Sequence, residues 1–480
     1  MRFKHWTMAL GMVSAALLSA CGSGSSSNTS VRLINASVGY PGAMTVSVNN
    51  GTASTGVAYG TAGSYQTVNV SATTSSFASN GVTILNRTPT LTGNSNYSMI
   101  VYGKAGDPNI SLLQENQTAP TNGYASLLVL NLAQDAGPVD VYMSPQVTSP
   151  SGLTGLSNLS ATASNIGVTY GSGYNAVTAG SYEVRITGYN NKTDLRLDIP
   201  NVTVASGQVY TLVLTGSPSG VLVNGMLVQQ QSTVTPYTSK SIRARLITAL
   251  NSLGVLNSAT LTGGASGSTS TVSLMPTNAA SPQVGNYATI VDGTSAAAAI
   301  TVTNSSTQAQ TTLNATPPST VVPGTDYTIL VWGNPSSPSY AFVTDDNTYP
   351  LSTGYANIRV VNGINSPAGD TAFNGGVNLT ANYNGLVSGV AAGTQSANFA
   401  IPYASNGYLL QVTTPGTPGA SVGSFGGNGN NIPIAAGSLW VVYVLGDATW
   451  TTSTGQIVNT PGNGVNANTP NFLIFPSQLR

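Results

Sequence analysis

The sequence predicts an all-β chain of four tandem sandwich units behind an amino-terminal export signal. Three observations predict it. A strand running from an aromatic residue to a glycine recurs four times at a steady interval. Short alternating runs are punctuated by Gly, Asn and Pro every ten or so residues. No 3.6-residue apolar period is sustained beyond the signal. The final glycines of the recurring strand, Gly103, Gly216, Gly333 and Gly446, are 113, 117 and 113 residues apart. A unit of about that length has the size of an immunoglobulin-like β-sandwich.

Residues 1–20 read as the signal. Arg2 and Lys4 make a positive start, Trp6 to Leu18 a short apolar stretch, and small residues precede Cys21. The stretch is too short to span a bilayer. Cys21 is the only cysteine of 480 residues, so disulfides within the chain are excluded. Gly22 to Ser30 completes a Gly/Ser-rich tether over 21–30.

The units are expected over 31–118, 124–232, 241–346 and 355–480. Their recurring strand is Tyr97 to Gly103, Tyr210 to Gly216, Tyr327 to Gly333 and Trp440 to Gly446. Another glycine stands three or four residues before the aromatic, at Gly93, Gly207, Gly324 and Gly437. Each unit opens on a second shared strand, Val31–Asn35, Leu127–Asn131, Arg243–Thr248 and Ile358–Asn362. The third could be misread as helical, but its place in the repeat makes it a strand. Pro120, Pro236 and Pro350 mark the connectors, where few contacts are expected to cross. Four sandwiches end to end would reach on the order of 150 Å, from a rise of about 3.3 Å per residue. A transmembrane barrel would also alternate, but it would not give four matching units with proline-bearing connectors.

The counts exclude several chemistries. Only 5% of residues are charged, against about 25% in a typical soluble domain, so Ser, Thr, Asn and Gln take over hydration. Removing residues 1–20 leaves 11 basic residues against 13 acidic, a net charge of −2. No basic stripe exists, which argues against nucleic acid. The single histidine is His5, inside the signal. Imidazole-based triads, His-liganded zinc and histidine pH switching are therefore excluded from the mature chain.

Two resemblances follow from these motifs. Leu18-Ser19-Ala20-Cys21 resembles the lipobox of bacterial lipoproteins. It implies that Cys21 is the lipid attachment site and the mature first residue. Gly22 after it, where an Asp would favour the inner membrane, implies the outer membrane. The repeat resembles the domain-of-unknown-function 4397 family of exported proteins. The second unit carries the fullest match, in Asn131, Asp135, Pro138-Val-Asp-Val-Tyr142, Ala179-Gly-Ser-Tyr182 and Gly207 to Thr211. The first keeps Val31-Arg32 and Asn35-Ala-Ser37, and the fourth Asn362 and Ser366 to Asp370. The resemblance is read over 31–480. It implies the fold more than a function, since the family has no assigned chemistry, and its histidine is Asn or Thr in every copy.

Candidate sites are few. Asp345-Asp346-Asn347 is the densest acidic group, and its oxygens would suit calcium; but it stands where the other units have Glu115-Asn116, Gln229-Gln230 and Val458-Asn459, so a polar strand exit is the preferred explanation. Asp194 and Asp198 flank Arg196 on one strand face, where charge pairing competes with paired-carboxylate glycosidase chemistry. Asp140 is expected to face solvent or cap a turn. Tyr97, Tyr210, Tyr327 and Trp440 are expected to be core or tyrosine-corner residues rather than a binding ladder. In the second copy, Tyr210, Leu212 and Leu214 should face the core, and Thr211, Val213 and Thr215 a wetter side.

The resulting expectation is a non-catalytic, lipid-anchored protein of the outer membrane. It would display β-sandwich units for adhesion or envelope scaffolding, with no cofactor or metal. Its partners would be the membrane, through the anchor, and a glycan or protein ligand. The competing reading is a carbohydrate- or calcium-binding envelope module.

Overall fold

The computed structural model describes residues 28–447, apart from 71–73, 251–253, 266–267, 292–295, 318–320, 353, 366–375, 416–420 and 426–430, together with the strand Phe472–Gln478. The signal, Cys21, most of the tether and the Ser366 to Asp370 motif lie outside the described residues. The last tether residues belong to the first strand, Asn28–Asn35, with Asn28 opposite Asn69.

Among the described residues the regular structure is all strand but for one 3₁₀ turn at Leu156–Asn158. Eight sheets form, two per unit. One sheet of each unit is built on the opening strand (Asn28–Asn35, Tyr124–Asn131, Ile242–Leu250, Tyr355–Asn365), which lies parallel to the aromatic strand (Asn96–Lys104, Val209–Ser217, Asp326–Gly333, Leu439–Asp447). The register repeats: Val31 is opposite Tyr97, Leu127 opposite Tyr210, Ala244 opposite Tyr327 and Ile358 opposite Trp440. A four- or five-stranded antiparallel sheet closes each sandwich over its own core.

The motifs have identifiable mechanical causes. The residue three before the aromatic is left-handed in every unit: Asn94, Gly207, Gly324 and Gly437. Glycine adopts that conformation without a Cβ penalty and Asn tolerates it, which explains why the first copy's glycine stands one place off. The tyrosine hydroxyls then accept the backbone N–H five residues upstream, Thr92 for Tyr97, Ala205 for Tyr210 and Val322 for Tyr327, at 2.9–3.2 Å. This is the tyrosine corner. Trp440 has no such acceptor and donates its ring N–H to Ser438 Oγ at 2.8 Å.

Asn35, Asn131 and Asn362, at the end of the opening strand, are buried amides that tie the crossover loop down. Asn131 donates to Gly137 and Ile166 carbonyls and accepts from Ala133 N–H. The third unit uses Thr248, whose hydroxyl accepts Gln283 N–H.

The structure departs from the sequence reading in how the units sit together. The aromatic strand is buried on both faces. Tyr210, Leu212 and Leu214 enter the second unit's core, but Val213 packs with Ile34, Ile100 and Tyr102 of the first unit. Thr211 is 2% exposed and Thr215 1%, so the expected wet face is a unit–unit interface. The third and fourth units repeat the arrangement, with Ile247, Ala249 and Leu330 against Val361, Val441, Tyr443 and Leu445. The units are therefore two face-to-face pairs, not beads on an extended string. The connectors are pinned as well. Pro236 sits in the strand Val234–Tyr237 against Gly60 of the first unit, and Tyr349 beside Pro350 is bonded to the second unit's Asp135.

Candidate functional site

The scarce charge is spent inside. Twelve charged side chains are buried among the described residues, whereas Arg87, Lys240 and Asp346 are exposed. Burying a charge is tolerable only with close partners; most pairs here form within one unit, and groups of the neighbouring unit complete several of them.

In the first pair, Arg32 points out of the opening strand. Its Nη2 stands 3.0 Å from both Glu115 oxygens, and its Nε donates to Ser98 at 2.8 Å. The guanidinium lies 4.8 Å from the Tyr65 ring centre and donates to the Ser232 carbonyl of the second unit. Glu115 accepts Gln231 N–H from that unit, while Gln117 and Gln230 exchange two hydrogen bonds at 2.9 Å. An ion pair of the first unit is thus completed by backbone groups of the second.

The third unit carries the same set in Arg245, Tyr287, Thr328 and Asp345. Arg245 donates to Thr328 Oγ1 at 2.9 Å, lies 4.8 Å from the Tyr287 ring centre, and reaches Tyr443 OH of the fourth unit at 2.7 Å. Asp345 accepts from Thr328 at 2.5 Å and Tyr287 at 2.7 Å, and Arg359 of the fourth unit stands 3.5 Å away. Burial raises the Tyr443 hydroxyl pKa, against the pull of the Arg245 charge.

The sequence-derived acidic candidates fall into these networks. Asp345 is held between two guanidiniums and two hydroxyls, and Asn347 bridges Tyr287, Asp326 and Arg359. Asp346 Oδ1 accepts the N–H and hydroxyl of Thr348 in a turn. These oxygens serve turn and interface rather than converging on one cation, and no group of three metal-ligating His, Cys, Asp or Glu side chains occurs among the described residues. Asp194 pairs with Arg196 at 2.6 Å and with Arg243 of the third unit at 3.5 Å.

Asp198 is separate from that pair. It accepts Gly152 N–H at 2.7 Å, beside Glu183, which accepts Ser151 N–H at 2.8 Å. Burial, then the neighbouring Glu183 carboxylate, push Asp198 up to about 7, while Gly152 N–H and Arg185 pull the other way. Asp140 is buried, not solvent-facing, and caps turns by accepting from Ser164, Asn165 and Asn190.

Sequence reasoning missed a cleft of about 680 Å³ where the first two units meet the third connector and the fourth unit. Lys104, Gln134 and Asp135 line one side, and Tyr349, Leu351, Tyr355, Asn357 and Asn398 the other. Lys104 Nζ stands 3.3 Å from Asp135 Oδ1 and donates to Tyr349 O at 2.5 Å, while Tyr349 N donates to Asp135 at 2.6 Å. Its residues are scattered from Val38 to Ala400, so no local motif announces it.

Residues 29–142 match the family model of a domain of unknown function, DUF4397. The match spans the first unit and the first two strands of the second, ending at Tyr142 in the Val-Asp-Val-Tyr motif. No curated protein matches. Solved structures with some likeness include two candidate cell adhesion proteins. The one from Bacteroides eggerthii is 11% identical with a TM-score of 0.22, over 48% of this chain and 98% of that one. The one from Bacteroides uniformis is 12% identical with a TM-score of 0.22, over 48% and 100%. A third is the CBM26-family module of Eubacterium rectale Amy13K in complex with maltoheptaose, 13% identical with a TM-score of 0.15, over 43% and 97%. At these scores the likenesses carry no argument about this chain.

Proposed function

We propose that the chain is a non-catalytic, lipid-anchored protein of the outer membrane that holds a rigid array of sandwich units for adhesion or envelope scaffolding. The burial of charge between units is the observation that carries this reading. It makes two pairs of sandwiches into stiff bodies without disulfides and leaves a surface of hydroxyls, amides and tyrosines. Such a surface is hydrated but carries little charge, which suits contact with neutral polymers and other envelope components. Cys21 supplies the anchor in this reading. Several acyl chains, each contributing about 0.8 kcal/mol per buried CH₂, would hold the protein far more firmly than one.

The test is fractionation and attachment of cells carrying the wild-type chain, Cys21→Ser, or neither. The reading expects Cys21→Ser to leave the membrane fraction for the soluble one and to weaken attachment or envelope integrity as deletion does. Retention of Cys21→Ser on membranes would mean that the repeats themselves bind there. Unchanged attachment and integrity on deletion would remove the adhesion and scaffolding roles.

A further inference from the structure

We propose that the cleft between the two pairs is a binding site for a neutral oligosaccharide. The inference goes beyond the display role, which would stand without it. The volume of about 680 Å³ lies in the range of small-molecule sites. The cleft is also preformed. Lys104 and Asp135 join the first two units, and Asp135 and Lys104 together grip both backbone polar groups of Tyr349 in the third connector. Little ordering is left for a ligand to pay.

The lining has two kinds of surface. Tyr355 is 39% exposed and Leu351 52%, two apolar platforms on an otherwise hydroxyl- and amide-covered surface. A pyranose ring presents C–H groups on one face and hydroxyls on its rim, and it matches a platform ringed by groups that both donate and accept. Asn357, Asn398 and Gln134 provide amides, Thr348 and Ser352 hydroxyls, and Asp346 an exposed carboxylate. Ser217 lines the cleft at 4% exposure, and its hydroxyl has no hydrogen-bond partner among the described residues. That Oγ is closed off from solvent, so it belongs to the wall behind the polar rim rather than to the rim itself.

Charge selects against acidic polymers. The cleft holds one ammonium, already engaged by Asp135, and two carboxylates, Asp135 and Asp346. A polyanion would face net repulsion, whereas a neutral saccharide meets none.

The experiment titrates the full chain carrying Cys21→Ser with short gluco-, manno-, galacto- and xylo-oligosaccharides, and with polygalacturonate as the acidic probe. Calorimetry reads affinity, and mass spectrometry reads acylation of Lys104 against exposed Lys240. The proposal expects at least one neutral series to bind and to slow acylation of Lys104 alone. Tyr355→Ala should weaken binding by roughly tenfold or more, as expected for loss of an aromatic anchor. Leu351→Ala, at an exposed position that cannot unfold the chain, should weaken it less. Tyr383→Ala, on a distant hairpin at 77% exposure, should change nothing. Three results overturn the proposal: no neutral series binds, polygalacturonate binds as well or better, or binding leaves Lys104 unprotected and is indifferent to Tyr355→Ala and Leu351→Ala. None of these touches the anchor test.

Discussion

Arg245 repeats Arg32. Each leaves the opening strand of its unit, lies 4.8 Å from the ring centre of a tyrosine, bonds a hydroxyl on the neighbouring aromatic strand, and is ion-paired to an acid at the exit of the return strand. The second and fourth units lack this set and instead present what completes it. The structural repeat is thus a pair of unlike units, occurring twice.

The first prediction concerns the buried pair. Glu115→Gln removes the counter-charge of an Arg32 that is 3% exposed. Breaking one side of a buried pair costs about 3–5 kcal/mol, so denaturant midpoints should fall steeply. The double change Arg32→Met with Glu115→Leu should be milder, because no charge is left stranded. A single change as harmless as the double would show that the pair is hydrated in solution.

A second prediction concerns coupling. Leu132 belongs to the second unit but packs in the cluster shared with the first, at 1% exposure. Leu132→Ala should cost roughly 2–5 kcal/mol. The loss should appear in a transition common to both units when urea unfolding is followed by hydrogen exchange at Leu33 and Leu212. Exchange that accelerates at Leu212 alone would mean that the units unfold independently.

Much of the fold was legible because its signals are local. The glycine turn, the tyrosine five residues beyond the N–H that its hydroxyl accepts and the alternation within Tyr182 to Thr187 all lie within one turn or strand. The pairing was not legible, because alternation says that a strand has two faces but not what covers each. The hint was present in Tyr97-Ser-Met-Ile-Val-Tyr102, whose apolar residues fall on both faces, as in strands buried on both sides. The burial of Arg32 between Val31 and Leu33 was not legible for the same reason. Its partners, Glu115 and Ser232, come from the return strand and the next unit, and only tertiary register brings them together. The cleft is assembled from still more distant segments.

The tyrosine corners give a third prediction. Tyr210→Phe removes the acceptor of Ala205 N–H at 3.2 Å while keeping the ring. The cost should be about 0.5–1.5 kcal/mol, that of one hydrogen bond, measured as a shift in the second unit's midpoint. The same change at Tyr327 should give a similar loss. No loss at either site would reduce the corner to packing alone.

The fourth prediction concerns pH. Asp198 is pushed up to about 7 in the folded chain, where it faces Glu183 and Arg185, from an ordinary value of 3.8. Between those values the folded state holds a proton that the unfolded state has released. Stability from this group is therefore fully present below the unfolded value and is lost as pH rises through about 7. Thermal midpoints of the wild-type chain should decline from pH 5 to pH 8 through this group. Asp198→Asn, which mimics the protonated side chain, should flatten that decline and raise the midpoint at pH 8. A decline equally steep in Asp198→Asn would assign it to other groups.

The face-to-face pairing is tested most directly by small-angle X-ray scattering from the lipid-free chain. A single compact globule of this length has a radius of gyration of about 23 Å. Two stapled pairs joined across the cleft should come slightly above it, at about 25–30 Å. Four units strung end to end over roughly 150 Å would exceed 40 Å. A value near the lower figures, rising when Arg32 and Arg245 are both replaced by Met, is the result expected. A value above 40 Å for the unaltered chain would contradict the pairing and, with it, the role assigned to the buried charge.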